Sequence, residues 1–142
     1  MAMRLIYGEE HRLLPWAQER VGVQFRRDAY TIGLEKSGEL AAVVVFDSFS
    51  EVDANIHIAS DGTARWMNRA LLSATFGYAF VQLGLRRLTG LVPADNERAL
   101  KLDEHLGFVR EGYHPHASKT GDIVSLGLLR SACRFIAPEH RK

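Results

Sequence analysis

The stretch from Asp95 to Phe108, Asp-Asn-Glu-Arg-Ala-Leu-Lys-Leu-Asp-Glu-His-Leu-Gly-Phe, contains the signals for one complete short helix. Asp95 or Asn96 offers a side-chain oxygen to the free N–H groups at a helix start. Gly107 stands where a helix commonly ends in a left-handed residue, and Phe108 follows as its hydrophobic partner. Between these ends, apolar residues recur at helical spacing at Ala99, Leu102 and Leu106. The stretch therefore predicts a capped helix that buries one side.

Two predicted strands and a longer helix come before this stretch. Arg87-Leu88-Thr89-Gly90-Leu91-Val92 is a short apolar run, as in a strand covered on both faces, and Pro93 closes it because proline has no N–H. Asp53 to Ser60 alternates between apolar and polar residues, which is typical of a second strand. Residues 67–85 carry two apolar stripes at helical spacing, and Gly77 inside them predicts a close backbone approach. Strand, helix and strand predict a parallel pair joined by a crossover.

The first fifty residues carry weaker signals. Arg4 to Tyr7 predicts an edge strand, and Glu9 to Val21 predicts a helix that breaks near Pro15, because proline is tolerated only in a first turn. Tyr30–Leu34 and Leu40–Phe46 flank a polar turn that contains glycine, which predicts a β-hairpin. Together the elements predict an α+β fold, with a mixed, mostly antiparallel sheet, a central parallel β-α-β crossover and flanking helices.

Length and composition limit the classes of function. A chain of 142 residues predicts one domain, spanning residues 1–142, and 46% hydrophobic residues suffice to fill its core. The net charge of +1 gives no electrostatic basis for binding nucleic acid or a membrane surface. The single cysteine argues against a disulfide framework or a cysteine-based metal site. Residues 1–10 lack the apolar core of a signal peptide, and no apolar run approaches the about 20 residues of a membrane span, so we expect a cytoplasmic protein.

The second half of the chain resembles the GNAT superfamily of acyl-CoA-dependent N-acyltransferases. In that family a strand ends in Asn, and a helix with small and leucine-like residues runs to leucine-Gly-Phe and a following Glu-Gly. This sequence has those features at Asn96, Ala99, Leu102, Leu106-Gly107-Phe108 and Glu111-Gly112. Gly121-Asp122 before an apolar strand also resembles the branch that includes the acetyltransferases of ribosomal-protein N-termini. The ordered set of motifs is more specific than any one of them.

The resemblance implies a fold in which the two parallel strands splay apart and acetyl-CoA, as co-substrate, enters the gap. It also implies that the start of the crossover helix binds the pyrophosphate through free N–H groups. The family pattern in that loop is Gln or Arg, two residues, Gly, one residue, then Gly or Ala. Two alignments of this sequence with the pattern stay open. In the first, Gly62-Thr63-Ala64 matches the Gly-x-Ala end of the pattern, and Ala59 stands where Gln or Arg is usual. In the second, which counts back from Tyr78, Trp66 and Asn68 stand at the two positions where the family has Gly or Ala.

Several residues are expected to contact the cofactor. A backbone N–H near Ile58 or Ala59 would polarise the thioester carbonyl. Arg65 and Arg69 would bind phosphate, or they are the solvated start of a helix. Asn96 would contact the cofactor at the splayed strand end, or it is only a helix cap. The full expected set is Ile58, Ala59, Ser60, Arg65, Trp66, Met67, Asn68, Arg69, Asn96 and Ala99.

The candidate catalytic residues are His57, Glu51 and Tyr113. His57 is the first candidate for the base because imidazole exchanges protons near neutral pH, and Glu51 is the second; a structural histidine and a turn residue are the alternatives. The family's usual acid, a tyrosine in the second helix, is replaced by Asp103, which is a poor acid near neutral pH unless it is strongly desolvated. Tyr113 is the substitute acid or an ordinary strand aromatic. We expect no metal site, since the two imidazoles of His114-Pro115-His116 have no acidic third ligand.

Two functions stay open. The first is an acetyl-CoA-dependent N-acetyltransferase that moves an acetyl group by direct attack in a ternary complex. Its acceptor would be a primary amine of a small molecule, a protein N-terminus or a lysine. The second is a GNAT-fold module that has lost catalysis and serves in binding or regulation, which the atypical loop and Asp103 favour. Neither predicts a membrane or nucleic-acid partner, and both allow a homodimer. A Rossmann domain is excluded because no Gly-x-Gly-x-x-Gly follows the strand.

Overall fold

The computed structural model describes residues 2–22, 24–63 and 67–142. The strands in these ranges are Met3–Tyr7 (β1), Tyr30–Lys36 (β2), Glu39–Asp47 (β3), Asn55–Ser60 (β4), Arg87–Pro93 (β5), Val109–Ser118 (β6) and Gly121–Leu129 (β7). The α-helices are Glu10–Val21 (α1), Arg69–Gly77 (α2) and Glu97–Leu106 (α3). A π-helical turn, Tyr78–Gln82, extends α2, and 3-10 turns occur at Arg130–Ala132 and Pro138–His140.

All of these strands form one sheet in the order β1-β2-β3-β4-β5-β7-β6. β4 and β5 run parallel, with α2 on the connection between them, and each other neighbouring pair is antiparallel. The predicted α+β class is therefore confirmed, with its mixed, mostly antiparallel sheet and central crossover. The predicted hairpin is also confirmed. β2 and β3 are joined at Ser37 and Gly38, which both have positive φ, as a two-residue type I′ turn requires.

Buried side chains cover the two faces of the sheet unequally. On the face that we call the α2/α3 face, the larger cluster joins both of those helices to the strands and includes Phe46, Leu71, Phe76, Leu88, Leu100 and Leu106. On the other face, which we call the α1 face, the smaller cluster consists of Ile6, Leu13, Ala17, Val43, Val45 and Ala59. Because side chains alternate along a strand, His57 shares the α1 face with Ala59, whereas Ile56 lies in the α2/α3 cluster.

Helix α1 continues through Pro15, so the predicted break is wrong. Proline removes the bond to the carbonyl of His11, but both residues are exposed and water can solvate that carbonyl. Leu13 and Ala17 are fully buried against the sheet. The packing of this face thus holds the helix together where local propensity alone would end it.

Two further predictions in the crossover unit are wrong. Strand β5 is not covered on both faces, because Leu88, Gly90 and Val92 are buried whereas Leu91 is 41% exposed on the α1 face. Gly77 has no close backbone neighbour, since a Cβ built there meets nothing within 4 Å. The helix instead widens into the π-helical turn directly after Gly77. By contrast, α3 begins at the Asn96 cap and ends at left-handed Gly107, as predicted.

Glu111, from the Glu-Gly motif, connects two strands across a third. The register of β6 against β7 shifts between Arg110 and Gly112, which makes Glu111 the extra residue of a bulge. Its Oε1 lies 2.7 Å from Nη2 of Arg87 on β5. The pair crosses β7 over Gly127, where a Cβ would lie 2.5 Å from both Glu111 oxygens. This motif residue therefore ties β6 to β5.

Gly33 in β2 lets α1 approach the sheet closely. A Cβ at Gly33 would lie 3.0 Å from Cδ2 and 3.1 Å from Cδ1 of Leu13, and 3.6 Å from Cβ of Ile6. Leu13 is completely buried in a close-packed interior, so a Cβ at Gly33 would force its side chain to shift. The position therefore depends on the absence of a side chain.

The substitution Gly33→Ala is expected to lower the free energy of unfolding by about 1–3 kcal/mol, as for an overpacked core. Urea denaturation followed by circular dichroism measures this change. Gly77→Ala is the matched control, because its Cβ meets nothing within 4 Å and its backbone is helical. That control is expected to gain up to about 1 kcal/mol from helix propensity. Equal stability of Gly33→Ala and the wild type would contradict the packing argument.

Candidate active site

Strands β4 and β5 touch at one end and diverge towards the other. Asn55 and Thr89 form the one registered pair in the described residues, and the N–H of Thr89 donates to the carbonyl of Ala54 at 2.9 Å. Beyond this pair a cavity of about 480 Å³ opens between the strands, which we call the wedge cavity. Its walls are Ile56 to Ser60 on β4, Leu91 to Pro93 on β5, and Asn96, Arg98, Ala99, Leu102 and Asp103 at and beyond the start of α3.

A second, larger cavity of about 1500 Å³ lies on the α1 face of the sheet, and we call it the α1-side cavity. It runs from the C-terminal part of α1 to the hairpin between β6 and β7. Four residues line both cavities: Val21, His57, Leu91 and Pro93. The opening between β4 and β5 thus connects the two faces of the sheet, and His57 lies at the connection.

His57 faces the carboxylate of Asp47 on the neighbouring strand. Its Nε2 lies 3.4 Å from Oδ1 of Asp47, and its ring centroid lies 5.2 Å from that of Phe25. Asp47 is 4% exposed, and its Oδ2 accepts the backbone N–H of Arg26 at 3.0 Å. Burial raises the pKa of the Asp47 carboxyl, but the nearby His57 imidazole and the backbone bond from Arg26 more than offset this effect, so the pKa lies below the ordinary value. Asp47 is therefore ionised near neutral pH.

Asp103 has the opposite electrostatic character. It projects from α3 into the wedge cavity, and its Oδ2 lies 3.1 Å from the position that a Cβ at Gly90 would occupy. The pKa of its carboxyl is raised to about 7, mainly by burial. The negative charge of Glu104 raises this pKa further, whereas the charge of His57 lowers it. Asp103 thus has the strong desolvation that an effective acid near neutral pH needs. The sequence gives one hint of this environment, the glycine in the facing strand.

The expected cofactor residues separate into two groups in the structure. Ile58, Ala59, Ser60, Asn96 and Ala99 line the wedge cavity. Asn96 is also the cap of α3, because its Oδ1 accepts the N–H of Ala99 at 3.1 Å. Its position in the cavity wall and its role as a helix cap are therefore compatible.

The second group lies at the start of α2. Asn68 caps this helix by accepting the N–H of Leu71 at 2.9 Å, and Met67 and Arg69 adjoin it; none of these three lines the wedge cavity. The start of the helix at Arg69 agrees with the register counted back from Tyr78. Arg65 and Trp66 lie outside the described residues.

Two arginines that the sequence analysis did not single out line the wedge cavity. Arg98 reaches from α3 to the loop after β4, where its Nη2 donates to the carbonyl of Gly62 at 2.7 Å. Arg20 stacks over the ring of Trp16 at 3.7 Å at the end of α1. Neither residue stands in a motif, so only proximity in the fold identifies them. Both place positive charge beside the cavity.

Glu51 and Tyr113 do not lie in the wedge cavity. Glu51 is exposed and lines a separate cavity with Tyr30 and Tyr78. The hydroxyl of Tyr113 donates to the carboxylate of Asp122, and this bond raises the pKa of the tyrosine. The structure therefore brings neither residue together with His57.

Within the described ranges, no group of three or more His, Cys, Asp or Glu side chains is arranged to hold a metal ion. Nε2 of His114 lies 2.9 Å from the hydroxyl of Ser125. None of the described helices combines the length and the apolar character that crossing a membrane requires.

Comparisons with known proteins identify the fold. No family model matches the sequence, and no curated protein matches it significantly. A point variant of the spermidine N-acetyltransferase SpeG from Vibrio cholerae matches with a TM-score of 0.77 at 16% identity, over 96% of this chain and 98% of that one. A candidate phosphinothricin N-acetyltransferase matches with a TM-score of 0.70 at 22% identity, over 90% and 98% of the two chains. These structures share the architecture of this chain over nearly its whole length.

The substitution Asp103→Asn is expected to change how stability depends on pH. The folded state holds the Asp103 proton more tightly than the unfolded state, so ionisation of Asp103 weakens the fold as pH rises from about 4 through about 7. Asparagine cannot ionise. The free energy of unfolding of the variant, relative to the wild type, is therefore expected to increase over this range by up to about 4 kcal/mol.

Urea denaturation of both proteins between pH 4 and pH 8 measures this difference. Asp122→Asn is the control, because the bond from Tyr113 lowers the pKa of Asp122. Asp122 is ionised in both the folded and the unfolded state above about pH 5, so the stability of this variant relative to the wild type is expected to stay nearly constant from there to pH 8. A difference between Asp103→Asn and the wild type that is the same at every pH would contradict the raised pKa.

Proposed function

This chain has the GNAT fold, and from that premise we propose that it is an acetyl-CoA-dependent N-acetyltransferase acting on a primary amine. The observation that carries the proposal is the opening between β4 and β5, where the wedge cavity and the α1-side cavity meet at His57. An acyl donor in the wedge cavity and an amine in the α1-side cavity would meet there. Direct attack in such a ternary complex needs no covalent intermediate on the protein.

The backbone of β4 supports the binding of a thioester. The carbonyl of Ala54 points to β5, since it accepts the N–H of Thr89. Alternation along the strand then directs the N–H groups of Ile56, Ile58 and Ser60 to the same side. Beyond Asn55 that side is the wedge cavity, where no strand competes for these donors. In this proposal the N–H of Ile58 donates to the thioester oxygen and stabilises the negative charge that develops on it.

The phosphates of the cofactor are assigned to the start of α2 and the positive side chains around it. Free N–H groups at a helix start bind anions, and Arg69 lies in the first turn. Met67, Asn68 and, outside the described residues, Arg65 and Trp66 complete this proposed set. Ala59, Ser60, Asn96 and Ala99 would contact the rest of the cofactor in the wedge cavity. Arg20 and Arg98 add positive charge to its walls.

Two side chains on opposite sides of the opening suit the two proton transfers. The amine nitrogen forms a bond to the thioester carbon, and His57 accepts the proton that this nitrogen loses. The carbon–sulfur bond breaks, and Asp103 donates its proton to the departing sulfur. A carboxyl with a pKa of about 7 remains protonated in a large fraction of molecules at neutral pH, as this donation requires. Asp103 replaces Tyr113 as our candidate acid. With His57 as the base, Glu51 has no role in this proposed mechanism.

The acceptor is assigned to the α1-side cavity. Its volume of about 1500 Å³ exceeds the about 300–1000 Å³ of typical small-molecule pockets, so it has room for a peptide as well as for a small amine. Charges of both signs line it, namely Glu19 and Asp47 together with Arg26 and Lys119. The acceptor class is therefore a primary amine of a small molecule, a protein N-terminus or a lysine side chain.

Acetyl-CoA is expected to stabilise the protein on binding. At about 100 times its Kd it should add about 2.7 kcal/mol to the free energy of unfolding, measured by chemical denaturation. Ala99→Phe places a ring in the wedge cavity and is expected to abolish this gain. Lys101→Phe, on the exposed side of the same helix, is the control and should keep it. Absence of any stabilisation of the wild type would refute cofactor binding.

Catalysis is expected to depend on His57. A panel of spermidine, phosphinothricin, a peptide with a free N-terminus and a lysine-containing peptide is incubated with acetyl-CoA, and released thiol is measured. His57→Gln should lower kcat by about 10²–10⁴-fold on whichever amine is acetylated, while stabilisation by acetyl-CoA remains. Binding of acetyl-CoA without turnover of any amine by the wild type would instead favour the second candidate function, a catalytically inactive binding or regulatory module.

A further inference from the structure

We propose that Asp47 is a positioning residue that holds the proton of the His57 imidazole on Nε2 and leaves Nδ1 to accept the proton of the acceptor amine. The catalytic part of this inference rests on the proposed function. Its structural part concerns one atom pair, Nε2 of His57 and Oδ1 of Asp47, and stands by itself.

The sheet fixes the relative position of the two side chains. Asp47 is the last residue of β3 and pairs with Asn55, while His57 pairs with Val45. Asp47 and His57 are therefore diagonal neighbours on the α1 face of an antiparallel pair, where side chains are within reach of each other. Their atoms lie 3.4 Å apart, and catalytic contacts of this kind commonly shorten when substrate binds.

The two oxygens of Asp47 have different surroundings. Oδ2 accepts the backbone N–H of Arg26 at 3.0 Å, whereas Oδ1 is buried and has no hydrogen-bond donor within normal reach in the described part of the chain. The nearest potential donor to Oδ1 is Nε2 of His57. A buried, ionised oxygen is costly when it is left unpaired. Asp47 therefore favours an imidazole that carries its proton on Nε2.

The opposite tautomer would be unfavourable at this position. A proton on Nδ1 would leave the lone pair of Nε2 directed at the negative charge of Asp47. With the proton on Nε2, the lone pair belongs to Nδ1, to which no described residue is hydrogen-bonded. His57 lines both cavities, and in this proposal Nδ1 is the ring nitrogen that faces the acceptor amine. A base needs such an available lone pair.

The other groups around His57 do not replace Asp47. The ring of Phe25 packs at a tilt of 60° and restrains the imidazole without bonding to it. Asp103 acts on His57 through charge from the wedge side. Glu19, His114 and Lys119 line the α1-side cavity. In the described ranges, Asp47 is the carboxylate within ion-pair distance of the imidazole.

The test combines the tautomer of His57 with steady-state kinetics on the full chain. Long-range ¹H–¹⁵N spectra of protein labelled with ¹⁵N-histidine distinguish the two neutral tautomers, and the spectrum of His57→Gln assigns the signals of His57. The wild type is expected to show the Nε2–H form. Asp47→Asn keeps the side-chain volume but offers an amide, and it is expected to give the Nδ1–H form or a mixture.

The same variant is expected to lose about 100-fold or more in kcat, as when a base is held in the wrong tautomer, with little change in KM for acetyl-CoA. Asp28→Asn is the matched control, because Asp28 accepts the N–H groups of Ser48 and Phe49 and does not line either cavity. It should leave both the tautomer and kcat unchanged.

Three results would overturn the proposal. These are an Nδ1–H tautomer in the wild type, an unchanged tautomer in Asp47→Asn, or an altered tautomer without loss of kcat. The first result needs no variant and holds even if Asp47→Asn fails to fold. If the wild type acetylates no amine, the proposed function fails, and the spectra still decide whether Asp47 holds the proton on Nε2.

Discussion

The separation of β4 from β5 is the constraint on which the rest of the site depends. A parallel pair that continued beyond Asn55 and Thr89 would use the backbone donors of both strands and close the opening. The strands can diverge without fraying because each is paired along its other edge. β4 pairs with β3 as far as Ser60, and β5 pairs with β7 as far as Pro93. Each half of the sheet thus keeps its own hydrogen-bonded ladder, and only the ladder between β4 and β5 is interrupted.

This opening gives two aspartates opposite electrostatic properties. Both Asp47 and Asp103 are largely buried, and burial alone raises the pKa of each. Asp47 also receives a backbone N–H and faces an imidazole, which stabilise its charge. Asp103 packs over Gly90, and the charge of His57 only partly opposes the effect of burial. One carboxyl is therefore kept ionised and the other is kept largely neutral, and His57 lies between them.

Local rules failed where packing supplied more energy than propensity. Proline should end a helix, yet α1 passes through Pro15 because Leu13 and Ala17 bury its inner side and the lost bond faces water. Gly77 should mark a close approach, yet the nearby irregularity is the π-helical turn that follows it. The apolar run of β5 suggested cover on both faces, but its α1 face borders the open cavity through Leu91. At Pro15 and Leu91 the deciding surroundings come from residues far along the chain, whereas at Gly77 the irregularity is local.

Local signals in the amino-acid sequence are enough to predict several elements of the fold. Examples are α3 from the Asn96 cap to Gly107, the hairpin at Ser37 and Gly38, and the strand–helix–strand crossover. These follow from hydrogen bonds and periodicities among neighbouring residues. The contact of Asp47 with His57, the bond from Arg98 to Gly62 and the burial of Asp103 depend instead on the packing of elements that are distant in sequence. The reason is physical: distance and burial depend on how closely separate elements pack, and residues adjacent in sequence carry no record of that packing.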